Sequence, residues 1–385
     1  MKKMISASIV IIGAGISGLS AAYNLAKAGM KDIHVIDKGY FTNGSTGRCG
    51  AGVRQQWATK LNCILAKKSI EFFGRANEEL EYDKDIEFKQ EGYLILATTS
   101  EEDEQFEKNV KLQNSLGIET VKLNVEGALK IVPHLNPNSF ISATFCKTDG
   151  HVNPFLMSEA YYLAARKLGV SFHFYEEVKS IEVKDGIIVS VLTTKDVYKT
   201  DKVLNAAGGY SKEIGDMVGV EIPVFSENHE ILVTERAKPM QGPMVMSFSK
   251  NIYCQQVPHG SFLMGRSNPN AVASHDISSS WGFLDEMSKT VTHILPEVAK
   301  LRVIRTWGGS YNVSPDRQPI ISDTSQLKGF YMACGFSGHG FMFAPITGEL
   351  LTEIILRKDL DEYAHDLHID RFKDNVITEF EHSVV

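Results

Sequence analysis

Apolar and polar positions recur with two different periods along the chain, one of strands and one of helices. Near the start a fully apolar run, Ile9-Val10-Ile11-Ile12, predicts a buried strand. From Gly18 to Lys27 the positions Leu19, Ala22, Tyr23, Leu25 and Ala26 recur at helical spacing until Gly29 stops them, and Ile33-His34-Val35-Ile36 predicts a second strand ending at Asp37. A helical face over 62–80 carries Leu65, Lys68, Ser69, Phe72, Phe73, Ala76 and Leu80, mostly apolar, and is assigned to core. Strands are expected over 92–96 and 141–145, with an acidic helix between them that Ser100 caps and that ends near Gly117. A helix over 155–167, a strand over 170–174 and a hairpin of 179–183 with 187–192 around Asp185-Gly186 restore the α/β alternation. A buried strand from Val203 then ends in Ala206-Ala207-Gly208-Gly209. Between Pro223 and Trp307 the pattern predicts strands over 230–233, 252–257 and 262–264 and a helix over 281–295. The chain closes on a strand over 331–334, a glycine-rich stretch over 335–342 and a helix over 344–356.

The junction of the first strand and helix reads Gly13-Ala14-Gly15-Ile16-Ser17-Gly18, a G-x-G-x-x-G placed after a strand and opening a helix. Its glycines let the backbone turn tightly and approach a pyrophosphate, while the helix N-terminus offers N–H groups and a positive dipole. Asp37, 19 residues beyond Gly18, stands where an acid can hold a ribose hydroxyl. The following loop runs through Lys38 and Gly44-Ser45-Thr46-Gly47-Arg48-Cys49-Gly50-Ala51-Gly52-Val53-Arg54, too rich in glycine for a regular element. Its hydroxyls and two arginines suit a phosphate or a planar ring; the alternative is a flexible surface loop. Lys2 and Lys3 precede an apolar run, but the glycine motif interrupts that run and no cleavage site for a signal peptide follows.

The 385 residues are enough for two domains or one large discontinuous one, and 43% hydrophobic residues can fill a sizeable core. A net charge of −7 supplies no basic field for nucleic acid, and no run approaches the roughly 18 apolar residues of a membrane span. Five scattered cysteines without a C-x-x-C pair predict reduced thiols and a cytoplasmic setting, with no zinc, iron–sulfur or other metal site.

Taken together, the blocks Gly13 to Gly18, Gly44-Ser45-Thr46 with Arg54, Gln90-Glu91-Gly92-Tyr93-Leu94, Asn205-Ala206-Ala207-Gly208, Arg305-Thr306-Trp307-Gly308-Gly309 and Gly335-Phe336-Ser337-Gly338-His339-Gly340-Phe341 resemble the D-amino-acid-oxidase and glycine-oxidase superfamily of FAD enzymes. Within it the chain most resembles the β subunits of heteromeric L-proline dehydrogenases and sarcosine oxidases. The resemblance implies an α/β plus α+β architecture: a Rossmann-like FAD-binding domain assembled from 1–85, 149–222 and 308–385, with an inserted, mostly antiparallel substrate domain from 86–148 and 223–307. It implies oxidation of an amino-acid C–N bond, in a secondary or cyclic amino acid such as proline or sarcosine, to an imine. FAD contacts are expected from Gly13, Gly15, Ile16, Ser17, Gly18, Asp37, Lys38, Gly44, Ser45, Thr46, Gly52, Val178, Ala207, Gly208, Gly308, Gly338, His339, Gly340, Phe341 and Met342.

Arg54 is the expected holder of the substrate carboxylate, since a guanidinium offers a planar bidentate fork; the competing role is an anchor for a phosphate or a backbone turn. Tyr253 and Tyr311 are expected to line the substrate pocket and His339 to face the flavin. His151 and His173 read as structural. Monomeric sarcosine oxidases attach FAD to a cysteine where this chain has Gly309, so FAD should be noncovalent. A lysine near flavin N5 in those enzymes is matched by Met342, which favours a dehydrogenase with a partner subunit over a stand-alone oxidase using oxygen. Glycine oxidases carry a carboxylate-binding arginine at the position of Tyr311. The segment to which heterotetrameric sarcosine oxidases link FMN corresponds to Val152-Asn153-Pro154, which holds no histidine, so an FMN at a partner interface would also be noncovalent. A non-catalytic flavoprotein assembly factor is the remaining alternative.

Overall fold

Ile9–Ile12 is a strand buried along its whole length, and its side chains divide between two cores as strand geometry requires: Ile9 and Ile11 on one side, Val10 and Ile12 on the other. The computed structural model describes residues 2–268, 270, 272–358, 362–373 and 380–383. Within the stretch 308–385 assigned to cofactor binding, residues 359–361, 374–379 and 384–385 therefore lie outside the described residues.

The first strand sits inside a six-stranded sheet ordered Ile320–Ser322, Phe330–Cys334, Val203–Asn205, Ile9–Ile12, Ile33–Ile36, Ser171–His173. All its pairings are parallel except that of the first two strands. The helices Ile16–Lys27, Lys60–Glu79, Pro154–Lys167 and Gly340–Leu356 contribute to the core on one face. The other face packs on a four-stranded sheet of Met4–Ser6, Val197–Lys199, Ile187–Thr193 and Val178–Lys184, through residues such as Val178, Ile181, Val191 and Tyr198. A parallel sheet covered on both faces has apolar strands without alternation, which is the pattern of the opening run.

The second large unit is an eight-stranded sheet ordered Val303–Val313, Phe225–Arg236, Ser261–Ser267, Ile252–Gln256, Met244–Ser247, Tyr93–Ala97, Ser142–Cys146, Thr120–Asn124. Neighbours are antiparallel except Met244–Ser247 with Tyr93–Ala97. The helix Trp281–Ile294 closes one face with Phe283, Met287 and Val291. Val303–Val313 is one uninterrupted strand of this sheet, so the 307/308 boundary falls inside a strand.

Two helix starts differ from the expectation. Thr99, not Ser100, caps the acidic helix, its side chain accepting from Glu102 N, because either hydroxyl could serve and only the residue before the first turn has the extended backbone. The last helix begins at Gly340 rather than 344, with Pro345 inside its second turn, where the ring removes one backbone bond without ending the helix.

Gly13 has φ +109°, and a Cβ placed on it would lie 2.3 Å from Ala206 O. Gly13→Ala is expected to cost about 2–3 kcal/mol and, if the resemblance to FAD enzymes holds, to abolish retention of the expected FAD. Denaturant unfolding and the absorbance of the purified variant check this; a variant as stable and as yellow as wild type would contradict it.

Candidate functional site

Three parallel strands, Ile9–Ile12, Val203–Asn205 and Phe330–Cys334, point their C-terminal ends the same way, and a small-residue loop follows each. Loops beyond the carboxyl ends of a parallel sheet gather into a ligand crevice. Here Gly13 meets Ala206 and Ala207 across it. Gly15 is the N-cap of the first helix and has no side-chain cap; Ile16 N donates instead to Thr46 Oγ1 at 3.1 Å. The Asp37 carboxylate accepts from Ala14 N at 2.8 Å and Gly39 N at 2.7 Å, tying the first turn to the second strand while each oxygen keeps a lone pair for another donor. Ser45 Oγ donates to Ser310 O at 2.6 Å and so holds the glycine-rich loop against the eight-stranded sheet.

The other expected contacts distribute around this crevice. A side chain at Gly44 or Gly208 would meet nothing within 4 Å, and both residues are exposed, as is Gly338 under the Tyr311 ring. Ser17 and Gly18 belong to the first helical turn. Val178 packs with Ile36 in the core beneath Asp37, and the exposed Lys38 lies with Nζ 3.1 Å from the Tyr210 ring centroid. Gly340, Phe341 and Met342 form the first turn of the last helix, whose N–H groups have no acceptor within that helix. Gly308 is paired with Glu230, and a Cβ on it would lie 2.3 Å from Asn228 Oδ1 and 2.6 Å from Ser278 O.

Next to the crevice is a narrow cavity of about 70 Å³, lined by residues 49–52 together with Arg54, Trp57, Tyr93, Met244, Met246, Tyr253, Tyr311, Gly338, His339, Phe341 and Met342. It brings together Arg54, Tyr253 and Tyr311, the residues expected at the substrate, and His339, the residue expected to face the flavin. Arg54 is 3% exposed and lies 3.6 Å over the Trp57 ring. Its guanidinium donates to Gln56 O and Ser383 O, which uses two of its five N–H donors. Arg54 therefore anchors backbone, as the competing reading has it, and still lines the cavity. Burial lowers its pKa, opposed by Tyr93, Glu381 and Asp149, but a guanidinium remains charged.

Two buried acids beside Arg54 escaped the sequence reading. Asp149 accepts from Gln55 N at 2.8 Å and Gln56 Nε2 at 2.9 Å, and burial pushes its pKa up to about 6. Glu381 accepts from Thr59 Oγ1 at 2.9 Å, Asn62 Nδ2 at 3.0 Å and Ser383 N at 2.7 Å. Asp149 stands in an Asp-Gly pair that signals a turn, and Glu381 is more than 300 positions from Thr59 and Asn62, so neither had a local signal for this site.

His339 is 2% exposed, stands edge-on to Trp57 and Phe343, and among the described residues neither ring nitrogen has a hydrogen-bond partner. Burial and the Arg54 charge push its pKa down to about 3, so it is a neutral ring. Burial raises the Tyr253 and Tyr311 phenols above their ordinary values, and the Cys49 thiol is pushed up to about 12, which removes it as a nucleophile. The His339 nitrogens, the helix start at Gly15, which has no side-chain cap of its own, and the small-residue crevice together suit a dinucleotide with a polar ring at one end.

A wider cavity, about 350 Å³, opens on the other side of Cys49-Gly50, which line both. Its walls include Arg48, His151, Asn153, Phe155, His259, Arg305 and Trp307. Trp307 Nε1 donates to Arg48 O at 3.0 Å. His173 lies elsewhere, paired through Nε2 with His34 Nδ1 at 2.9 Å. Among the described residues no cluster of three metal-ligating side chains occurs, and no helix is long and apolar enough to cross a membrane.

Because the folded pKa of Asp149 stands above that of an unfolded carboxyl, its contribution to stability is present at acid pH and is lost as pH rises through about 6. The stability of wild type relative to Asp149→Asn should fall by up to about 3 kcal/mol between about pH 4 and about pH 7. Urea unfolding of both proteins across that range checks it; parallel pH profiles would contradict it.

The family model described as DAO, FAD dependent oxidoreductase, matches residues 8–354. The sarcosine oxidase subunit beta of Rhodobacter capsulatus is 25% identical over 371 residues, which are 95% of this chain and 88% of that protein. The mitochondrial dimethylglycine dehydrogenase of Rattus norvegicus is 26% identical over 371 residues, 91% of this chain but 43% of that protein, so the chain spans under half its length. The crystal structure of L-proline dehydrogenase from P. horikoshii superposes with a TM-score of 0.92 at 34% identity, covering 98% of this chain and 100% of that one.

Proposed function

The chain belongs to the DAO family of FAD-dependent oxidoreductases, and on that premise we propose that it oxidises the C–N bond of a secondary or cyclic amino acid, such as proline or sarcosine, to the imine, as the catalytic subunit of a dehydrogenase complex. The observation that carries this reading is the narrow cavity in which a buried arginine and two tyrosines adjoin the glycine loops. The names of its relatives, a sarcosine oxidase subunit beta and an L-proline dehydrogenase, support the substrate class and the partner subunit.

In this reading Gly13, Gly15, Ile16, Ser17 and Gly18 take the pyrophosphate of FAD, Asp37, Lys38 and Val178 the adenosine side, Gly44, Ser45, Thr46, Ala207 and Gly208 the middle, and Gly52 with residues 338–342 the ring. The six-stranded sheet, drawn wholly from 1–85, 149–222 and 308–385, supports assigning those segments to the cofactor, and 86–148 with 223–307 to the substrate side. Attachment is noncovalent: Gly309 offers no nucleophile, and a Cβ on it would lie 3.1 Å from Arg48 Cβ. Bound there, FAD supplies a two-electron acceptor for the hydride of the carbon beside nitrogen. Arg54 binds the substrate carboxylate through the N–H donors that its two backbone bonds leave. The apolar walls, Trp57, Met244, Met246 and Phe341, exclude water. Desolvation and the Arg54 cation both disfavour a second positive charge, so they promote the neutral amine that hydride loss requires. Tyr253 and Tyr311 orient that amine.

The wider cavity takes a second flavin, FMN, noncovalently, where a partner subunit covers it. Arg48, Arg305 and His259 suit its phosphate, Trp307 and Phe155 its ring, and the shared Cys49-Gly50 loop gives the two cavities a common wall. Met342, a side chain without charge, lines the inner cavity and supports electron delivery to a partner rather than to oxygen. Five free cysteines support a reducing, cytoplasmic setting.

Arg54→Ala should keep FAD and slow flavin reduction by the amino acid about 30- to 1000-fold, the loss of a charge-assisted bidentate contact, with Arg54→Lys restoring part of it. Single-turnover mixing without oxygen checks this, and equal rates in all three proteins would move the carboxylate site elsewhere. The reduced protein should reoxidise slowly in air and quickly with an artificial dye. Fast reoxidation with stoichiometric peroxide and no dye effect would establish a stand-alone oxidase instead.

A further inference from the structure

The two tyrosines of the narrow cavity are not independent; a buried histidine lies between them. His229, in the strand Phe225–Arg236, is 2% exposed. It stacks on Tyr311 with centroids 4.2 Å apart and planes 8° apart, and on Tyr253 at 5.6 Å and 3°. Its cross-strand partner on one side is Gly309, and on the other Ser267, so Tyr311 reaches the ring diagonally along one edge. Tyr253 reaches it from the opposite edge because Gly265 lies between them: a Cβ there would stand 2.2 Å from the Tyr253 hydroxyl. The imidazole is also hydrogen-bonded at both nitrogens, Nε2 to Tyr253 Oη at 3.3 Å and Nδ1 to Ser267 Oγ at 3.2 Å. Ser267 is held in turn by Asn251, whose side chain accepts from Ser267 N at 3.1 Å and donates to Ser267 O at 2.7 Å.

We propose that His229 is a positioning residue: its Nε2 accepts the Tyr253 hydroxyl proton while Nδ1–H donates to Ser267 Oγ, which turns the phenol lone pairs into the cavity as an acceptor for the N–H of the substrate amine. This rests on the proposed function, which puts the amino acid in that cavity. Arg54 can only donate and is matched to the carboxylate, so the amine end needs an acceptor. A phenol can accept there only if its own hydrogen is held elsewhere, and His229 Nε2 is the acceptor recorded for it among the described residues. Burial keeps the imidazole neutral, its pKa pushed down to about 3, so the arrangement persists over the working pH range. The column thereby selects substrates that carry an N–H beside the carbon to be oxidised.

The test is a double-mutant cycle on the flavin-loaded protein, with Tyr253→Phe, His229→Phe and the double variant mixed anaerobically with L-proline. His229→Phe keeps a stacked ring and removes both hydrogen bonds. Each single variant should weaken binding or slow reduction about 3- to 10-fold, and the double variant should be no worse than Tyr253→Phe alone. His229→Gln, whose amide oxygen can accept from Tyr253, should recover part of the loss. Binding of tetrahydro-2-furoate, a cyclic carboxylate without N–H, read from the flavin spectrum, should be unchanged in His229→Phe. Multiplying effects in the double variant, an unaffected Tyr253→Phe, or an equal loss of the furoate would each overturn the inference, the last by reducing His229 to packing. Failure of the wild-type flavin to be reduced by any amino acid would overturn the underlying reading as well.

Discussion

The arrangement depends on one close approach of backbone to backbone, where Gly13 passes Ala206 at the carboxyl ends of two parallel strands. The pairing of Ile9–Ile12 with Val203–Asn205 brings together segments nearly 200 positions apart, and any side chain at Gly13 would push against the Ala206 carbonyl. Because the strands are locked by ladders on both sides, neither can retreat. The crevice, the position of Thr46 over the helix start and the reach of Asp37 back to Ala14 all follow from that contact. The same junction delivers the loop over 44–54 to the eight-stranded sheet, where Ser45 and Trp307 fasten it.

Arg54 occupies the end of that loop, and its burial carries an electrostatic cost. A guanidinium that is 3% exposed needs compensation, and it receives it from hydrogen bonds to two carbonyls, the Trp57 ring face and the nearby Asp149 and Glu381 carboxylates. Those acids are held in turn by amides and hydroxyls rather than by direct ion pairing to Arg54. The result is a cation fixed in place while part of its donor fork stays available to a carboxylate. Opposite it, neutral rings of Tyr253, His229 and Tyr311 form a stacked wall that supplies orientation without further charge.

Local signals made the dinucleotide half of the molecule legible in the sequence. A strand, three glycines, a helix, a second strand and a terminal acid are contiguous, and each turned out where its residues imply. The family resemblance carried the remaining blocks and brought Arg54, Tyr253, Tyr311 and His339 to one cavity from four distant positions. What stayed hidden depends on long-range pairing. The register of Phe225–Arg236 between two partner strands decides that His229 faces Tyr253, and no property of its own neighbours in sequence announces it. Asp149 reads as a turn residue until Gln55 and Gln56 are seen to donate to it.

We propose that a secondary amino acid bound between Arg54 and the tyrosine wall delivers its electrons to the flavin. Anaerobic titration of the flavin-loaded protein with L-proline, sarcosine and a set of primary amino acids tests it most directly, followed by the flavin absorbance band in the visible. Bleaching by at least one secondary amino acid is expected at concentrations that leave the primary ones without effect. A flavin that dithionite reduces fully but that no amino acid bleaches would contradict it.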